Sequence, residues 1–298
     1  MDDGSSVREV ELGKGALRIK EFTLLQDEAG AVVWDAGLVL SYYLAHQHSQ
    51  GRSLVSGRTC LELGSGTGVV GLTAAKLGAT HVYLSDLPHL VPYIRENIQV
   101  RLHLFITPPR PSPAPHPPQL NGLGATCSAL PLEWSNWQHL DMARSSVLRR
   151  PPEVILAADV VYSPEGRQSL FRTLAHAGVM APPADHSSGP HLQGDATAGG
   201  PGRGGDGGRL EGGSSCCAPE AGAMGEQEDD GKGGVGRGNG GGTEVFLSYE
   251  QRPGVEELPE LCARHGLVAV QVAEEDLHPS WRSPDITILR LRKRPDCA

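Results

Sequence analysis

The segment CLELGSGTGVVGL, from Cys60 to Leu72, constrains this chain more than any other stretch. Thr59–Leu63 is a short apolar strand that runs directly into glycines at 64, 66, 68 and 71. Helix formers follow in LTAAKLGA, with Gly78 as the expected C-cap. A strand, a glycine turn and a helix in that order bring backbone N–H groups and the positive end of a helix dipole to the carboxyl edge of a sheet. A nucleotide-like ligand can come close there, because any side chain larger than hydrogen would obstruct it.

The flanking text extends the same pattern. HVYL (81–84) reads as a second strand ending in Ser85-Asp86, and LVPYIRENIQVRL as the next helix, which completes a βαβ unit. ATCSALPL reads as a strand. EVILAA (153–158) is a continuous apolar run, the mark of a parallel strand covered on both faces. TEVFLSY (243–249) is a further strand, PGVEELPELCARHG the last helix, and VAVQV and DITILRL close the chain as two strands. The connection between those two contains Pro279 and Pro284 and no helix, so they are expected to pair antiparallel. Ahead of all this, REVELGKGALRIKEF has the alternation of a β-hairpin, and AVVWDAGLVLSYYLAHQ reads as a helix with Asp35 as its N-cap. The fold class is α/β, a doubly wound sheet.

Composition divides the chain. Of its 39 glycines, 21 fall between Ala181 and Gly242, a tract too poor in apolar surface to offset its ordering entropy and expected to be a disordered loop. PPRPSPAPHPP, within 107–118, excludes helix and central strand and reads as a surface excursion. What remains is the size of one α/β domain, interrupted by these two insertions. The formal charge is −9, and the glycine-rich tract carries more than half of it, so the body is weakly acidic and lacks the basic surface that nucleic acids require. The six cysteines form no CxxC pair or zinc spacing, so no metal site is indicated. MDDGSSVREVELGKG has no apolar core of a signal peptide, and no run of about 18 apolar residues occurs, so a soluble, cytoplasmic chain without membrane contact is expected.

The glycine loop alone leaves rivals open, because Gly66-x-Gly68-x-x-Gly71 also satisfies the dinucleotide fingerprint of oxidoreductases. Asp86 does not separate them, since an acid ending strand two can bind ribose hydroxyls in either case. Three features lean toward a methyl donor: Glu62 ahead of the loop, the antiparallel C-terminal pair, and ADVVY at the end of a later strand. VVWDAGLVLSYYL, CLELGSGTGVVGLTAAKLGA, SDL, AADVVY and YEQRP together resemble the seven-β-strand protein-lysine methyltransferases. That resemblance implies a seven-stranded Rossmann-like sheet, S-adenosyl-L-methionine as cofactor, and a monomeric enzyme acting on a lysine of a folded protein. The valosin-containing AAA ATPase, chaperones and translation factors are the targets it suggests. A non-catalytic interaction protein that kept the fold is the alternative from another class.

By position, the resemblance assigns Gly64, Ser65 and Gly66 to the methionine part of the cofactor and Asp86 to its ribose. Asp86 also reads as a helix cap, and Glu62 either as a cofactor contact or as a structural acid bonded to loop amides. Trp134 matches the ring that lies against adenine, with Trp137 a competitor three residues on, and Trp34 matches a tryptophan at the cofactor entrance; each could equally be core. Ala158 would contribute backbone. Asp159 and Tyr162 form D-x-x-Y at the sheet edge where ligands bind. Lysine with a pKa of about 10.4 is almost entirely protonated at neutral pH, so a proton must leave before transfer. Asp159 is expected to orient the ammonium rather than act as a strong base, because a carboxylate favours the charged amine. Tyr162 would wall the channel, Glu250 add a second carboxylate, and Arg252 pair with a nearby acid. Asp159 as a helix cap and Tyr162 as a packing ring are the plainer readings.

Overall fold

The computed structural model describes residues 4–13, 15–23, 28–99, 121–142, 151–178 and 242–294. The proline-dense stretch 107–118 and the glycine-rich tract up to residue 241 lie outside the described residues. The expected hairpin is present: β1 (Ser5–Glu11) and β2 (Ala16–Phe22) pair antiparallel from Ser5↔Phe22 to Glu11↔Ala16. Leu17 and Ile19 are fully buried, which fixes the register through alternation. The outer backbone of β2 is satisfied by side chains. Asn97 bonds both the N–H and the C=O of Lys20, at 2.7 and 3.0 Å, and Asn121 does the same for Arg18.

α1 (Asp35–Ser49) starts one residue earlier than a capping Asp35 would require. The boundary residue is Trp34, extended at φ −91° and ψ 151°, so Asp35 is already helical and contributes through the dipole of the first turn. β3 (Thr59–Leu63) leads through the glycine loop into α2 (Val69–Lys76). Gly78 follows at φ +94°; its N–H bonds Ala75 O and that of Ala79 bonds Ala74 O, a Schellman ending. β4 (His81–Asp86), α3 (Val91–Gln99), β5 (Cys127–Pro131), α4 (Trp137–Met142), β6 (Val154–Ala158), α5 (Pro164–Gly178), β7 (Glu244–Glu250), α6 (Leu258–Arg264), β8 (Leu267–Gln271) and β9 (Ile286–Lys293) complete the order.

Seven strands form one sheet in the order β5-β4-β3-β6-β7-β9-β8. The five on the left are parallel, and β9 runs antiparallel to both neighbours. The last two strands therefore pair as expected, with β9 inserted between β7 and β8. The inner strands of the sheet feed two cores. Cys60, Val82, Val154, Leu156 and Phe246 face α1, α2, α3 and the hairpin. Leu61, Leu63, Ile155, Val245 and Leu247 face α5 and α6. Burial on both faces is why these strands read as unbroken apolar runs. Cys60, Cys127 and Cys262 are free and buried, which pushes their thiols up to about 12, 12 and 11. No described helix is long and apolar enough to cross a membrane.

Candidate active site

The loop between β3 and α2 can turn only because its glycines adopt left-handed backbone: φ is +65° at Gly64, +51° at Gly66 and +83° at Gly68. Space imposes the same choice. A Cβ on Gly64 would lie 2.7 Å from Val160 Cγ1 and 3.1 Å from the Trp134 ring, and one on Gly66 would lie 3.0 Å from Gly30 O. The segment before α1 thus crosses the loop at Gly66. Trp34 ends that segment with its ring half exposed and its indole N–H donated to Ala29 O at 2.6 Å.

Two acids brace the loop from within. Glu62 lies beneath the start of α2, 2 % exposed, and accepts the Gly71 N–H at 3.0 Å. Burial pushes its pKa up to about 8 against the opposing pull of that amide and Ser65. The bond to Gly71 is the one expected of an acid that orders the loop. Asp86 accepts the Gly66 N–H on Oδ2 at 2.7 Å and the Leu87 N–H on Oδ1 at 2.8 Å. It caps no helix. Each oxygen keeps a second lone pair, so a ribose diol can be added without displacing the loop. Burial raises its pKa, opposed by the same two amides. Ser65 sits between these acids, its N–H on Ser85 O at 2.9 Å. S-adenosylmethionine fits this set: an amide-rich glycine turn, an acid for a diol, and the Trp134 ring, partly buried, beside Gly64.

On the adjoining strand, Ala158 ends β6 and packs near Gly37 of α1. Asp159 follows at φ +54°, a left-handed conformation that costs a non-glycine residue roughly 1 kcal/mol. What holds it is a hydrogen bond from its N–H to Ser248 O at 2.9 Å and an ion pair to Arg252 at 2.6 Å. Its side chain is only 8 % exposed. It does not cap α5: Ser163 does, its Oγ accepting the Gly166 N–H at 3.0 Å just before Pro164. The same Arg252 Nη2 reaches Glu250 Oε2 at 3.0 Å. Asp159, Glu250 and Arg252, from two strand ends, form one cluster at the carboxyl edge of the sheet. Tyr162, three residues after Asp159, is 58 % exposed and belongs to neither core.

Trp137 lies in α4, and its side chain is outside the described residues. Sequence reading passed over three supports. Asn97, fully buried, ties β2 to the glycine loop by donating to Thr67 O at 2.9 Å; an Asn one position before Ile98 in an otherwise amphipathic helix was its only signal in the sequence. Glu21 accepts the Val33 N–H at 2.9 Å and so anchors the segment leading to Trp34. Arg167 is 4 % exposed, donates to Val161 O at 3.3 Å and approaches Glu257 at 3.7 Å, holding the turn between Asp159 and α5.

A seven-strand sheet in this order, with the glycine loop behind β3, the middle of its five parallel strands, and an acid ending β4, is the Rossmann-like methyltransferase fold. Residues 12–108 match the family described as lysine methyltransferase. The chain is 34 % identical over 160 residues to the protein-lysine methyltransferase METTL21E of Bos taurus, covering 54 % of this chain and 46 % of that protein. It is 32 % identical over 146 residues to the protein N-lysine methyltransferase METTL21A of Mus musculus, covering 49 % and 54 %, and 28 % identical over 166 residues to the histone-arginine methyltransferase METTL23 of Mus musculus, covering 54 % and 53 %. The chain spans about half the length of the curated relatives it matches.

Proposed function

We propose that this chain is an S-adenosylmethionine-dependent protein-lysine N-methyltransferase acting on a folded protein. The observation that carries the reading is the position of the Asp159–Arg252–Glu250 cluster, on the strand end beside a glycine loop braced by Glu62 and Asp86. The cofactor, when bound, supplies an already activated methyl on a sulfonium. The protein's part is to hold the acceptor amine in line and exclude competing geometries. Asp159 and Glu250 seat the ammonium, Tyr162 lines its approach, and the proton leaves to water. Asp86 takes the ribose hydroxyls, Gly64, Ser65 and Gly66 the methionine part, and Trp134 the adenine, with Trp34 and Ala158 at the margin. Glu62 acts on the cofactor through the loop that it fixes.

Among the relatives are enzymes named for lysine and for arginine. Here Arg252 already takes one hydrogen-bonding position on each carboxylate, so a second planar guanidinium could not pair with both in a bidentate fork, which supports a compact ammonium as the acceptor. The finer assignment is the valosin-containing AAA ATPase as target, reached by a monomer in the cytoplasm, and it rests on the motif resemblance. An oxidoreductase reading finds no support in a sheet with an antiparallel end. Incubation of the purified chain with methyl-labelled cofactor and a soluble lysate, followed by mapping of the label, tests the proposal. Label on lysine of a protein is the expected outcome; label on arginine, RNA or small molecules alone overturns it.

A further inference from the structure

Arg252 has a place in the site that pairing alone does not explain. Its single Nη2 is shared between Asp159 Oδ1 at 2.6 Å and Glu250 Oε2 at 3.0 Å, while the arginine stays about one quarter exposed. Two carboxylates and one guanidinium leave the cluster with one formal negative charge in excess. We propose that Arg252 is a positioning residue that sets this excess, so that an incoming ε-ammonium is seated by the acids yet sheds its proton beside a fixed cation. The inference rests on the lysine reading above.

Two acids alone would grip an ammonium firmly and hold it in the unreactive, charged form. A guanidinium a few ångströms away opposes that charge and releases the proton at lower pH. Asp35 and Glu165 stand exposed in the first turns of α1 and α5 and add negative charge near this edge, while three further charged groups on the neighbouring elements are engaged elsewhere or reach the site through backbone. Arg167 is directed to Val161 O and Glu257, Glu256 accepts the Gly254 N–H at 2.7 Å, and Asp285 meets Gln251 through its carbonyl at 2.6 Å. Tyr162, in the turn after Asp159, is exposed. Arg252 is thus the cation that directly bridges the pair among the described residues.

The test is the pH profile of methyl transfer by the full chain, with the labelled lysate protein purified as substrate, for wild type, Arg252→Gln and Arg252→Lys. In Arg252→Gln the acid limb of kcat should move upward by about one pH unit or more, with about tenfold lower kcat on that limb and a KM unchanged or lower. Arg252→Lys, which keeps the charge, should restore the limb. Cofactor affinity by calorimetry and Tm, measured on all three, separate this from loss of structure. A uniform fall in rate with no displacement of the limb, or a limb that Lys does not restore, overturns the proposal. If the wild-type chain binds cofactor but labels no lysine, it is the functional reading that has failed.

Discussion

At the start of β7, Glu244 meets three arginines; at its end, Glu250 shares one arginine with Asp159. Glu244 accepts from Arg58 at 3.1 Å, from Arg292 at 3.0 and 2.7 Å, and from Arg290. Burial raises its pKa, but the hydrogen bonds from Arg290, Arg292 and Arg58 prevail and hold it below the usual carboxylate range. That end is over-supplied with cations and locks Arg58, before β3, to β7 and β9. The other end is one cation short. The same residue types therefore build a clamp at one edge and the proposed ammonium seat at the other, and the difference is the local count of charges against positions already filled.

Replacing Asp159 by Ala should break the receptor end with the largest effect: methyl transfer falls about 100-fold, or roughly 2.7 kcal/mol of barrier, while calorimetry still reports cofactor binding. Full activity in that variant would remove Asp159 from the site. At the clamp end, Glu244→Gln should leave cofactor affinity intact and cost roughly 2 kcal/mol of stability in urea unfolding, somewhat below a fully buried pair because Arg290 and Arg292 are partly solvated. Its sign with pH follows from the depressed pKa. The stabilisation is present above the unfolded value of about 4.3 and is lost as pH falls through the lower folded value, so wild type and variant should converge in acid.

Glu62 gives the subtler contrast, with a pKa displaced the opposite way. Its contribution is fully present below the unfolded value of about 4.3 and is lost as pH rises toward about 8, because the folded chain holds the proton longer. Cofactor-free Glu62→Gln should therefore gain on wild type across that interval and run parallel to it above. A constant difference across the interval would mean that Glu62 is ionised in the folded protein.

Much of this arrangement was legible in the sequence, for reasons that are local. The glycine loop announces itself because left-handed turns and close backbone approach exclude other residues, and Gly78 closes α2 on the same grounds. The strands show as apolar runs since both faces are covered, and the hairpin as alternation since one face is. α1 begins at Asp35, where the sequence places its start, but Asp35 is the first helical residue and not the cap, because an Asp in a first turn serves the dipole as well as an Asp at the cap.

The sequence by itself determined the elements other than the short α4, their order, the parallel core of the sheet and which residues end its strands. Tertiary structure decided where β9 inserts, that Asn97 and Asn121 complete the open edge of β2, and that Glu62 turns inward to Gly71. It also decided that Arg252 bridges Asp159 and Glu250. Spacing along a strand reports which face a side chain takes. Which distant charge it meets there depends on how strands far apart in sequence come to lie side by side.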